Sequence, residues 1–530
     1  MKEKVRLPLI SISHEDTLKN KTGGWRTQKP IHRRGISPCI LNCLSGQDIP
    51  CFIGAIREEN FEKAYRIIQR TNPFPSLTGR VCPHPCEKEC NRKNLDEAIS
   101  INLLERFIGD FGLKNVPETF PEINQKERIA IIGSGPAGLS CAYYLRKEGW
   151  QIIIFEALPI IGGLLAYGIP EFRLPKEILK RELSKKILVP GIEVETIARI
   201  NKEEFQILLN AFCAIFVAVG ASKTKKINLP GQEVFGVING LDFLENINLG
   251  AKTNLGSKVL VVGGGNTAID AARLAKRLNT EVEILYRRTK EEMPALPEEI
   301  KKAEEEGIII KTLIIPVKVI SEDRKFDSLE CQKATLGEAD ESGRRKPLAI
   351  EGSNFRIEAD TLILATGEET DLSFLPENWK DYGKIFIGGD AARNAGTVAA
   401  AIKSGRKNAL LIERYLKGEG AAEDTPKEEA IKYTAEELLQ QNFTKSPRKN
   451  TAKLEARRCF SCGLCLATAE SRPGGDNLCE KCLNFCPDVA ITKKDGKIEI
   501  NYDYCKGCGI CAKECPTKAI IFKREEEEQK

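Results

Sequence analysis

The segment RIAIIGSGPAGLSCAYYLRKEGWQIIIFE, residues 128–156, decides the fold of the region around it. An apolar strand runs into Gly133, Gly135 and Gly138, a helix follows, and Glu156 ends the next strand. Gly133 allows a tight turn, Gly135 lets the backbone approach a pyrophosphate, and Gly138 lets the helix pack closely on the strand. A carboxylate at Glu156 can accept hydrogen bonds from a ribose. The segment therefore predicts a βαβ unit that binds a dinucleotide.

A second segment of the same kind is KVLVVGGGNTAIDAARLAKRL, residues 258–278. Gly263, Gly265 and Ala268 keep the spacing, and alanine in the third place still permits close packing. The chain therefore has two predicted dinucleotide-binding turns.

The strand after the second segment, VEILYRRT, ends in Arg287 and Arg288 rather than in an acidic residue. Two guanidinium groups attract a phosphate and can bind it bidentately. The pair therefore favours NADPH over NADH. The alternative is a solvated strand end, since surface arginines are common.

The wider region from Glu127 to about Leu416 alternates short apolar strands with helices. This pattern predicts parallel α/β sheets with room for two nucleotide-binding units. Two more strands run into small-residue turns, AIFVAVGA at 214–221 and DTLILATGEETD at 360–371. The region has no pair of cysteines at C-x2-C spacing, which disfavours the dithiol chemistry of disulfide reductases.

Composition places the chain among globular proteins, since 42% of its 530 residues are hydrophobic and 29% are charged. Its 80 basic and 75 acidic side chains are interspersed and give a net charge of only +5, so nucleic acid is not an expected partner. The sequence has no apolar stretch of about 18 residues, and the opening MKEKVRLPLISISHEDTLKN lacks the apolar core of a secretory signal. We therefore expect a cytoplasmic protein without a membrane partner.

The 19 cysteines indicate metal binding, because the cytoplasm keeps thiols reduced and clustered thiols there usually hold metal. Two blocks contain most of them: the first consists of Cys39, Cys43, Cys51, Cys82, Cys86 and Cys90, and the second extends from Cys459 to Cys515. Cys141, Cys213 and Cys331 stand singly and are expected to pack as small hydrophobes.

The second block contains the run CKGCGICAKECP, whose C-x2-C-x2-C-x3-C-P spacing wraps a [4Fe–4S] cluster. The last cysteine of such a run normally ligates the neighbouring cluster. The first half of the block departs from this spacing, and a loop inserted after Cys465 restores it. The predicted ligand sets are Cys465, Cys479, Cys482 and Cys515 for one cluster, and Cys486, Cys505, Cys508 and Cys511 for the other.

Cys459 and Cys462 are left over from these two sets. A rival interpretation uses them with Cys479 and Cys482 in a zinc site, because paired C-x2-C units suit tetrahedral zinc.

The first block lies on predicted helices, because apolar residues recur at helical spacing within residues 52–110. Its cysteines occur in CILNCLSGQDIPCF (39–52) and GRVCPHPCEKECNRK (79–93). A zinc or purely structural site is the alternative to a cluster here, because spacing alone does not name the metal.

Three segments resemble the glutamate synthase small-subunit family: GGLLAYGIPEFRLPKEIL (162–179), YRRTKEEMPA (286–295) and GGDAARNAGTVAAAI (388–402). The resemblance extends over about residues 35–416. It implies FAD at the first glycine turn and NADPH at the second. The implied FAD residues are Gly133, Ser134, Gly135, Pro136, Ala137, Glu156, Gly163, Leu164, Gly389, Asp390 and Thr397. The implied NADPH residues are Gly264, Gly265, Asn266, Thr267, Arg287 and Arg288.

The first cysteine block resembles the cluster domain of the same family, but it lacks the C-x2-C that precedes the first cysteine there. The resemblance implies one cluster on Cys43, Cys82 and Cys86 with the carboxylate of Glu105 as the fourth ligand. Cys39 and Cys90 are left as further metal ligands, and Cys51 could join them. One or two clusters are therefore expected in this block.

The expected fold class is α/β, with two Rossmann-like dinucleotide-binding domains between an α-helical iron–sulfur domain and a bacterial-type 2[4Fe–4S] ferredoxin domain. The ferredoxin part resembles the delta subunit of 2-oxoacid:ferredoxin oxidoreductases. The expected boundaries are 1–126 for the helical domain, 127–250 and 356–416 for a discontinuous FAD-binding domain, 251–355 for the NADPH-binding domain, 417–455 for a linker, 456–524 for the ferredoxin domain and 525–530 for an acidic tail.

These parts predict an NAD(P)H-dependent oxidoreductase subunit that carries FAD and [4Fe–4S] clusters. A nicotinamide gives up two electrons as hydride whereas a cluster accepts one, so a flavin must stand between them. No side chain is needed as nucleophile or general base. The expected partner is a larger oxidoreductase subunit in a hetero-oligomeric complex.

Two alternatives stay open. The same chain could reduce NAD(P)+ with electrons from a 2-oxoacid or other dehydrogenase partner. A chain of another class would be a non-catalytic iron–sulfur adaptor. NADH stays an alternative to NADPH as the nucleotide.

Overall fold

The computed structural model describes residues 21–125, 127–221, 223–225, 229–340, 343–392, 396–420, 429–441, 443–466, 479–495 and 497–525. Contacts within the chain divide these residues into two compact units. The cysteine-rich unit comprises the described residues of 1–67, 84–104 and 425–530, and the two-sheet unit comprises those of 68–83 and 105–424. Most of the expected acidic tail and residues 421–428 of the expected linker lie outside the described residues.

Helices and strands are numbered in chain order across both units. The α-helices are α1 (Pro38–Leu41), α2 (Ile49–Arg57), α3 (Phe61–Gln69), α4 (Pro75–Val81), α5 (Pro85–Lys88), α6 (Ile101–Asn115), α7 (Pro136–Lys147), α8 (Lys176–Lys186), α9 (Lys202–Ala211), α10 (Gly240–Asn248), α11 (Asn266–Arg277), α12 (Pro297–Glu305), α13 (Val398–Leu416), α14 (Ala435–Gln440), α15 (Ala452–Ala456), α16 (Lys481–Asn484) and α17 (Ile510–Glu514). The strands are β1 (Gln28–His32), β2 (Arg128–Ile132), β3 (Gln151–Phe155), β4 (Ile192–Glu195), β5 (Ala214–Val217), β6 (Lys223–Thr224), β7 (Val237–Asn239), β8 (Lys258–Val262), β9 (Glu281–Tyr286), β10 (Ile309–Thr312), β11 (Ile314–Glu322), β12 (Lys325–Ala339), β13 (Arg345–Ala349), β14 (Phe355–Glu358), β15 (Thr361–Leu364), β16 (Glu368–Glu369), β17 (Ile385–Ile387), β18 (Ile491–Lys494), β19 (Lys497–Ile500) and β20 (Ile520–Arg524).

The first parallel sheet has the strand order β17-β5-β2-β3-β4, and every neighbouring pair in it is parallel. Its central strands β2 and β5 are apolar and buried apart from Arg128 at the start of β2, as is usual for a parallel sheet with helices on both faces. Helices α7 and α13 approach so closely that a β-carbon on Gly405 would lie 2.1 Å from the carbonyl oxygen of Ala137. The predicted α/β fold is confirmed here.

The second parallel sheet has the order β10-β9-β8-β15-β7. Strands β7 and β15 belong to this sheet, although the sequence analysis assigned both to the first nucleotide-binding domain. The chain passes between the two sheets near the short ribbon in which β6 pairs with β16. The chain therefore crosses from one sheet to the other before β7 and after β15. The expected domain boundaries at 250/251 and 355/356 were wrong in this respect, because a strand pairs with the sheet that buries it.

An antiparallel sheet of β11, β12, β13 and β14 accompanies the second parallel sheet. Leu329 and Phe326 on β12 pack in one apolar cluster with Leu260 and Leu285 of the parallel sheet. The sequence analysis did not predict this layer. Its strands begin directly after β10, where the expected alternation of strands with helices stops.

The cysteine-rich unit combines both ends of the chain. Helices lie within residues 52–110, as the apolar spacing predicted. At the other end, β18 and β19 form a hairpin, and β20 pairs with the N-terminal strand β1 from Gln28↔Arg524 to His32↔Ile520. The ferredoxin fold is thus completed by residues from the start of the chain, which the boundary at residue 456 did not include.

The described part of the expected linker is structured rather than open. Ile36 forms a parallel bridge with Ala430, and the amide N–H of Ile431 donates to the carbonyl oxygen of Ile36 at 2.8 Å. Tyr433 and Leu438 are buried in one apolar cluster with Phe460. Polar residues separate these apolar positions in the sequence, so the stretch resembles a linker until its partners are known.

No helix of the described residues is both long and apolar enough to cross a membrane.

Candidate functional site

The first glycine turn follows β2, where Gly133 has a φ of +102°. A β-carbon on Gly133 would lie 2.5 Å from the carbonyl oxygen of Ala218, and one on Gly138 would lie 2.0 Å from the carbonyl oxygen of Gly133. Both positions therefore require glycine for close backbone packing. A β-carbon on Gly135 would meet no atom within 4 Å, so the space before this residue is open. An open glycine before a helix N-terminus suits a pyrophosphate.

Glu156 lies buried beside this turn and is held there by hydrogen bonds. Its carboxylate accepts the amide N–H of Ser134 at 2.9 Å, the hydroxyl of Ser134, and the amide N–H of Leu158 at 2.9 Å. The structure therefore fixes Glu156 at the end of β3, where the sequence placed a ribose acceptor.

Residues 162–165 form a short turn that lies against the first glycine turn. Gly163 has a φ of +53°, and a β-carbon there would lie 2.8 Å from the α-carbon of Gly135. The neighbouring Leu164 is 40% exposed and offers an apolar contact to a flat ring system. These residues come from a motif well beyond β3, so the fold brings a second predicted segment to the turn.

A third segment reaches the same place through the 3-10 helix Gly389–Ala392 and the start of α13. A β-carbon on Gly389 would lie 2.9 Å from the β-carbon of Ala137, which begins α7 together with Pro136. Asp390 accepts the amide N–H of Gly396 at 2.6 Å, and Thr397 caps α13 by accepting the amide N–H of Ala400 at 3.2 Å. The predicted FAD residues therefore converge from three parts of the chain.

The second glycine turn follows β8 in the same way. Gly263 has a φ of +148°, and a β-carbon there would lie 2.2 Å from the carbonyl oxygen of Ala365. A β-carbon on Gly264 would lie 2.4 Å from the ring of Tyr286, whereas one on Gly265 would meet no atom within 4 Å. Of the two glycines predicted to bind NADPH, Gly265 therefore faces open space and Gly264 makes room for Tyr286.

The two predicted phosphate-binding arginines differ in their surroundings. Arg287 is exposed, and partial desolvation followed by the neighbouring Arg288 lowers its pKa, as expected for a cation beside another cation. Arg288 is 2% exposed, pairs with Asp340, and donates its Nε–H to the carbonyl oxygen of Arg345 at 2.7 Å. This corrects the prediction for Arg288, whose guanidinium is committed to protein partners. Arg287 stays a phosphate-binding candidate.

Glu368 connects the two nucleotide sites and was not singled out from the sequence. Its carboxylate accepts the hydroxyl of Thr267 from the second glycine turn at 3.2 Å. Burial, and also the negative charge of nearby Asp390, raises its pKa. Asn266 has a different partner, since its side-chain oxygen accepts the amide N–H of Leu296 at 3.1 Å. The acidic pair after the strand at 361–364 was the available signal for Glu368.

The second cysteine block closes around two cavities. The first cavity is lined by Cys465, Cys479, Cys482 and Cys515, and the second by Cys486, Cys505, Cys508 and Cys511. The structure thus brings together the two predicted ligand sets. His32 and Pro30 of β1 line the first and second cavities respectively.

The thiols of each set are close enough to influence one another's ionisation. Burial, and then the thiols of Cys465, Cys515 and Cys479, raise the pKa of Cys482 to about 12. The pKa of Cys511 is likewise raised to about 12, by burial and then by the other thiols of its set. Thiolates crowded in this way need a positively charged partner, and iron supplies it.

No three His, Cys, Asp or Glu side chains of the described ranges are arranged to hold a single metal ion. Four thiols around a [4Fe–4S] core lie further apart than ligands at about 2.3 Å from one zinc.

The predicted ligands of the first block are divided between the two units. In the cysteine-rich unit, Cys86 is buried, and Cys43 is buried and accepts the amide N–H of Gln47 at 3.2 Å. In the two-sheet unit, Cys82 follows α4, and Glu105 is 4% exposed and accepts hydrogen bonds from the side chains of Thr78 and Asn72 at 2.6 and 3.0 Å. Their grouping around one cluster stays a prediction.

The remaining predicted ligands have unexpected neighbours. Burial raises the pKa of Cys39, and the thiols of Cys459, Cys462 and Cys90 lie close enough to raise it further. The rival zinc interpretation is therefore wrong. Cys459 and Cys462 lie near Cys39 and Cys90, whereas Cys479 and Cys482 line the first cavity.

Three family profiles match the chain. The pyridine nucleotide-disulphide oxidoreductase profile matches residues 127–387, the profile described as dihydropyrimidine dehydrogenase domain II, 4Fe-4S cluster, matches residues 34–116, and the 4Fe-4S binding domain profile matches residues 498–521. These matches confirm an oxidoreductase with a core of the kind that binds FAD and NADP and with 4Fe-4S domains towards both ends.

Three relatives cover most of the chain. The NADPH-Fe(3+) oxidoreductase subunit beta of Geobacter sulfurreducens is 37% identical over 493 residues, 83% of this chain and 71% of the relative. The glutamate synthase [NADPH] small chain of Halomonas elongata is 33% identical over 419 residues, 71% of this chain and 88% of the relative. The NADP(+)-dependent formate dehydrogenase subunit beta of Moorella thermoacetica is 35% identical over 438 residues, 74% of this chain and 62% of the relative.

All three relatives are subunits named for NADPH- or NADP(+)-dependent oxidoreductases. The pyridine nucleotide-disulphide oxidoreductase profile includes both glycine turns whose geometry is described above. The chain therefore belongs to the glutamate synthase small-chain family of NADPH-dependent, FAD- and iron–sulfur-containing oxidoreductase subunits.

Proposed function

We propose that the chain accepts electrons from NADPH at its FAD and delivers them singly, through iron–sulfur clusters, to a larger partner subunit. The observation that carries this proposal is the position of Glu368, which binds Thr267 of the second glycine turn and lies close to Asp390 of the first site. A side chain that touches one nucleotide site and lies near the other supports an arrangement in which the two sites are neighbours, as direct hydride transfer requires.

Different residues would hold the two nucleotides. The open face of Gly135 and the N-terminus of α7 would hold the pyrophosphate of FAD, and Arg287 would hold the 2′-phosphate of NADPH. When bound, a flavin takes up a hydride and gives out single electrons. The protein supplies orientation and exclusion of water, so no side chain has to act as nucleophile or general base.

The second cavity of the cysteine-rich unit is the proposed exit for electrons. Cys508 is an exposed thiol in this set. Three apolar side chains next to its cysteines in the sequence are exposed, Phe485 at 52%, Val489 at 77% and Ile510 at 38%. Exposed apolar residues around a redox centre are typical of a docking edge for a protein partner.

The test compares reduction by NADPH of the wild-type chain and of the variant Gly265→Val. Under anaerobic conditions NADPH should bleach the flavin absorbance of the wild-type chain and then that of the clusters. Gly265→Val should keep the FAD spectrum and respond to dithionite but not to NADPH, because the side chain would enter the open space at the second turn. A wild-type chain that holds FAD and clusters yet is not reduced by NADPH would refute the proposal.

The partner is tested separately. A tagged wild-type chain purified from its native cytoplasm should carry a larger oxidoreductase subunit with it. Ile510→Asp should lose that subunit while its iron content stays unchanged, since Ile510 is not one of the proposed ligands. Copurification that Ile510→Asp leaves intact would place the partner on another surface.

A further inference from the structure

Cys39, Cys90, Cys459 and Cys462 belong to neither ligand set of the second cysteine block, and Cys459, Cys462 and Cys90 lie near Cys39. All four belong to the cysteine-rich unit. We propose that their thiolates bind one additional [4Fe–4S] cluster, so that the C-terminal part of the chain supplies two ligands of a cluster in the N-terminal helical domain. This inference does not depend on the direction or the partner of electron transfer.

The backbones that carry two of these cysteines touch. The amide N–H of Gly35 donates to the carbonyl oxygen of Gly463 at 3.0 Å. A β-carbon on Gly463, whose φ is +79°, would lie 2.3 Å from the carbonyl oxygen of Gly35. Gly463 directly follows Cys462, and Gly35 comes shortly before Cys39. Glycine at position 463 therefore permits an approach that places the C-x2-C pair beside α1.

Asn91 fixes the same segment from the side of Cys90. Its side-chain amide donates to the Sγ of Cys462 at 3.4 Å and to the carbonyl oxygen of Ile431 at 2.8 Å. Its side-chain oxygen accepts the amide N–H of Tyr433 at 3.3 Å. Because Asn91 directly follows Cys90, these contacts bring Cys90 and Cys462 together.

Arginines hold the segment on both sides of Cys459. Arg92 donates to the carbonyl oxygen of Arg458, and its guanidinium lies 5.0 Å from the ring centroid of Phe460. Arg57 donates to the hydroxyl of Ser461 at 3.2 Å. A cluster bound by four thiolates carries net negative charge, which the neighbouring guanidinium groups of Arg92 and Arg57 would stabilise.

The four thiols have the environment of cluster ligands. Burial raises the pKa of all four thiols. For Cys39, Cys459 and Cys462, other thiols of the group, Cys90 among them, raise the pKa further. The Sγ of Cys459 accepts the amide N–H of Ser461 at 3.4 Å, and the hydroxyl of Ser37 lies 3.0 Å from the Sγ of Cys39. Hydrogen bonds to ligand sulfurs of this kind tune iron–sulfur centres.

Cys51, which the sequence analysis considered as a further ligand, has other partners. Its Sγ accepts a hydrogen bond from Arg34 at 3.3 Å, and Asp48 is the nearby charge that raises its pKa. It is therefore a matched control: a cysteine of the same block that should be dispensable for the additional cluster.

The experiment compares four variants of the full-length chain, purified anaerobically with its clusters. Cys39→Ser/Cys90→Ser and Cys459→Ser/Cys462→Ser should each lose about four iron atoms per chain and the same electron paramagnetic resonance signal. The quadruple variant should lose no more than either pair, whereas Cys51→Ser should retain all its iron. Loss of two different signals, additive loss of iron, or zinc in place of iron would overturn the proposal.

A measurement on the wild-type chain covers the case in which variants do not fold. Cysteines of the holoprotein are alkylated before and after stepwise removal of iron by a chelator, and the modified peptides are identified by mass spectrometry. Cys39, Cys90, Cys459 and Cys462 should be protected together and become reactive in the same step. Reactivity of Cys459 and Cys462 while Cys39 and Cys90 stay protected would contradict a shared cluster.

Discussion

The two units of this chain build their sites in opposite ways. In the two-sheet unit each glycine turn is made by consecutive residues, and Gly135 and Gly265 both face open space directly before a helix. In the cysteine-rich unit, Asn91 and Cys462 are in hydrogen-bond contact although 371 positions separate them. A motif search finds each glycine turn completely, but it does not show that residues as distant as Asn91 and Cys462 meet.

The largest effect is expected where a site depends on one local residue. Gly135→Val should give a folded chain that lacks FAD, because the new side chain meets no protein atom but enters the space for the pyrophosphate. Flavin content and iron content measured on the same sample check this, and iron should stay near the wild-type value. A yellow flavin spectrum retained by the variant would contradict the site.

The matched control is Gly138→Val, at which a β-carbon would lie 2.0 Å from the carbonyl oxygen of Gly133. This variant should lose FAD because α7 cannot pack on β2, so soluble yield and secondary structure should fall together with flavin. The pair separates a glycine that serves the ligand from one that serves the fold.

The sequence was sufficient for features that neighbouring residues determine. It predicted the two fingerprints and both ligand sets of the second cysteine block, since these depend on local spacing. It could not predict that β1 pairs with β20, that β7 and β15 join the second sheet, or that Cys39 lies near Cys459. Each of these depends on which distant surface a segment buries, and composition contains no record of that choice.

Arg288 shows the same limit at a single residue. The pattern of two adjacent arginines suggested a common phosphate, but the antiparallel layer, which was not predicted, supplies Asp340 and buries Arg288. Arg287 is exposed. Adjacent residues can therefore have different surroundings, and a shared sequence motif does not ensure a shared role.

The next largest effect tests how the ends of the chain are held together. Asp96 accepts hydrogen bonds from Arg92 at 2.7 Å and from Arg458 at 3.0 Å, and all three side chains are at most 10% exposed. Burial opposes its ionisation, but the bonds from Arg92 lower the pKa of Asp96 to about 2. Asp96→Ala removes the carboxylate partner of buried Arg92 and leaves Arg458 with Glu455 alone, which should cost about 3–5 kcal/mol.

Guanidinium titration followed by iron–sulfur absorbance measures this loss as a lower midpoint for the clusters. Flavin fluorescence reports on the two-sheet unit in the same sample and should change less. A wild-type midpoint in Asp96→Ala would mean that apolar packing around Phe460, rather than this ion network, holds the segment.

A smaller effect is expected at the nucleotide. Arg287→Ala should raise the KM for NADPH but not for NADH, because the 2′-phosphate loses charge-assisted hydrogen bonds of about 1.5–3 kcal/mol, roughly a 10- to 150-fold change. Arg288→Ala should instead lower stability, with similar effects on both nucleotides, because it removes the ion pair between Arg288 and Asp340. Equal effects of Arg287→Ala on both nucleotides would remove the phosphate assignment.

The smallest effect is expected from an exposed contact between residues that are far apart in the sequence. Lys453 pairs with Glu59 at 2.7 Å across 394 positions, but the two side chains are 49% and 55% exposed. Exposed pairs contribute about 0–1 kcal/mol and weaken with salt, so Lys453→Ala should barely move the guanidinium midpoint of the clusters. Glu59→Ala and the double variant complete a cycle whose coupling should be under about 1 kcal/mol. A large coupling would mean that separation in sequence by itself marks the contacts that hold the ends together. A small one, beside a large loss in Asp96→Ala, would show that burial decides which long-range contacts matter.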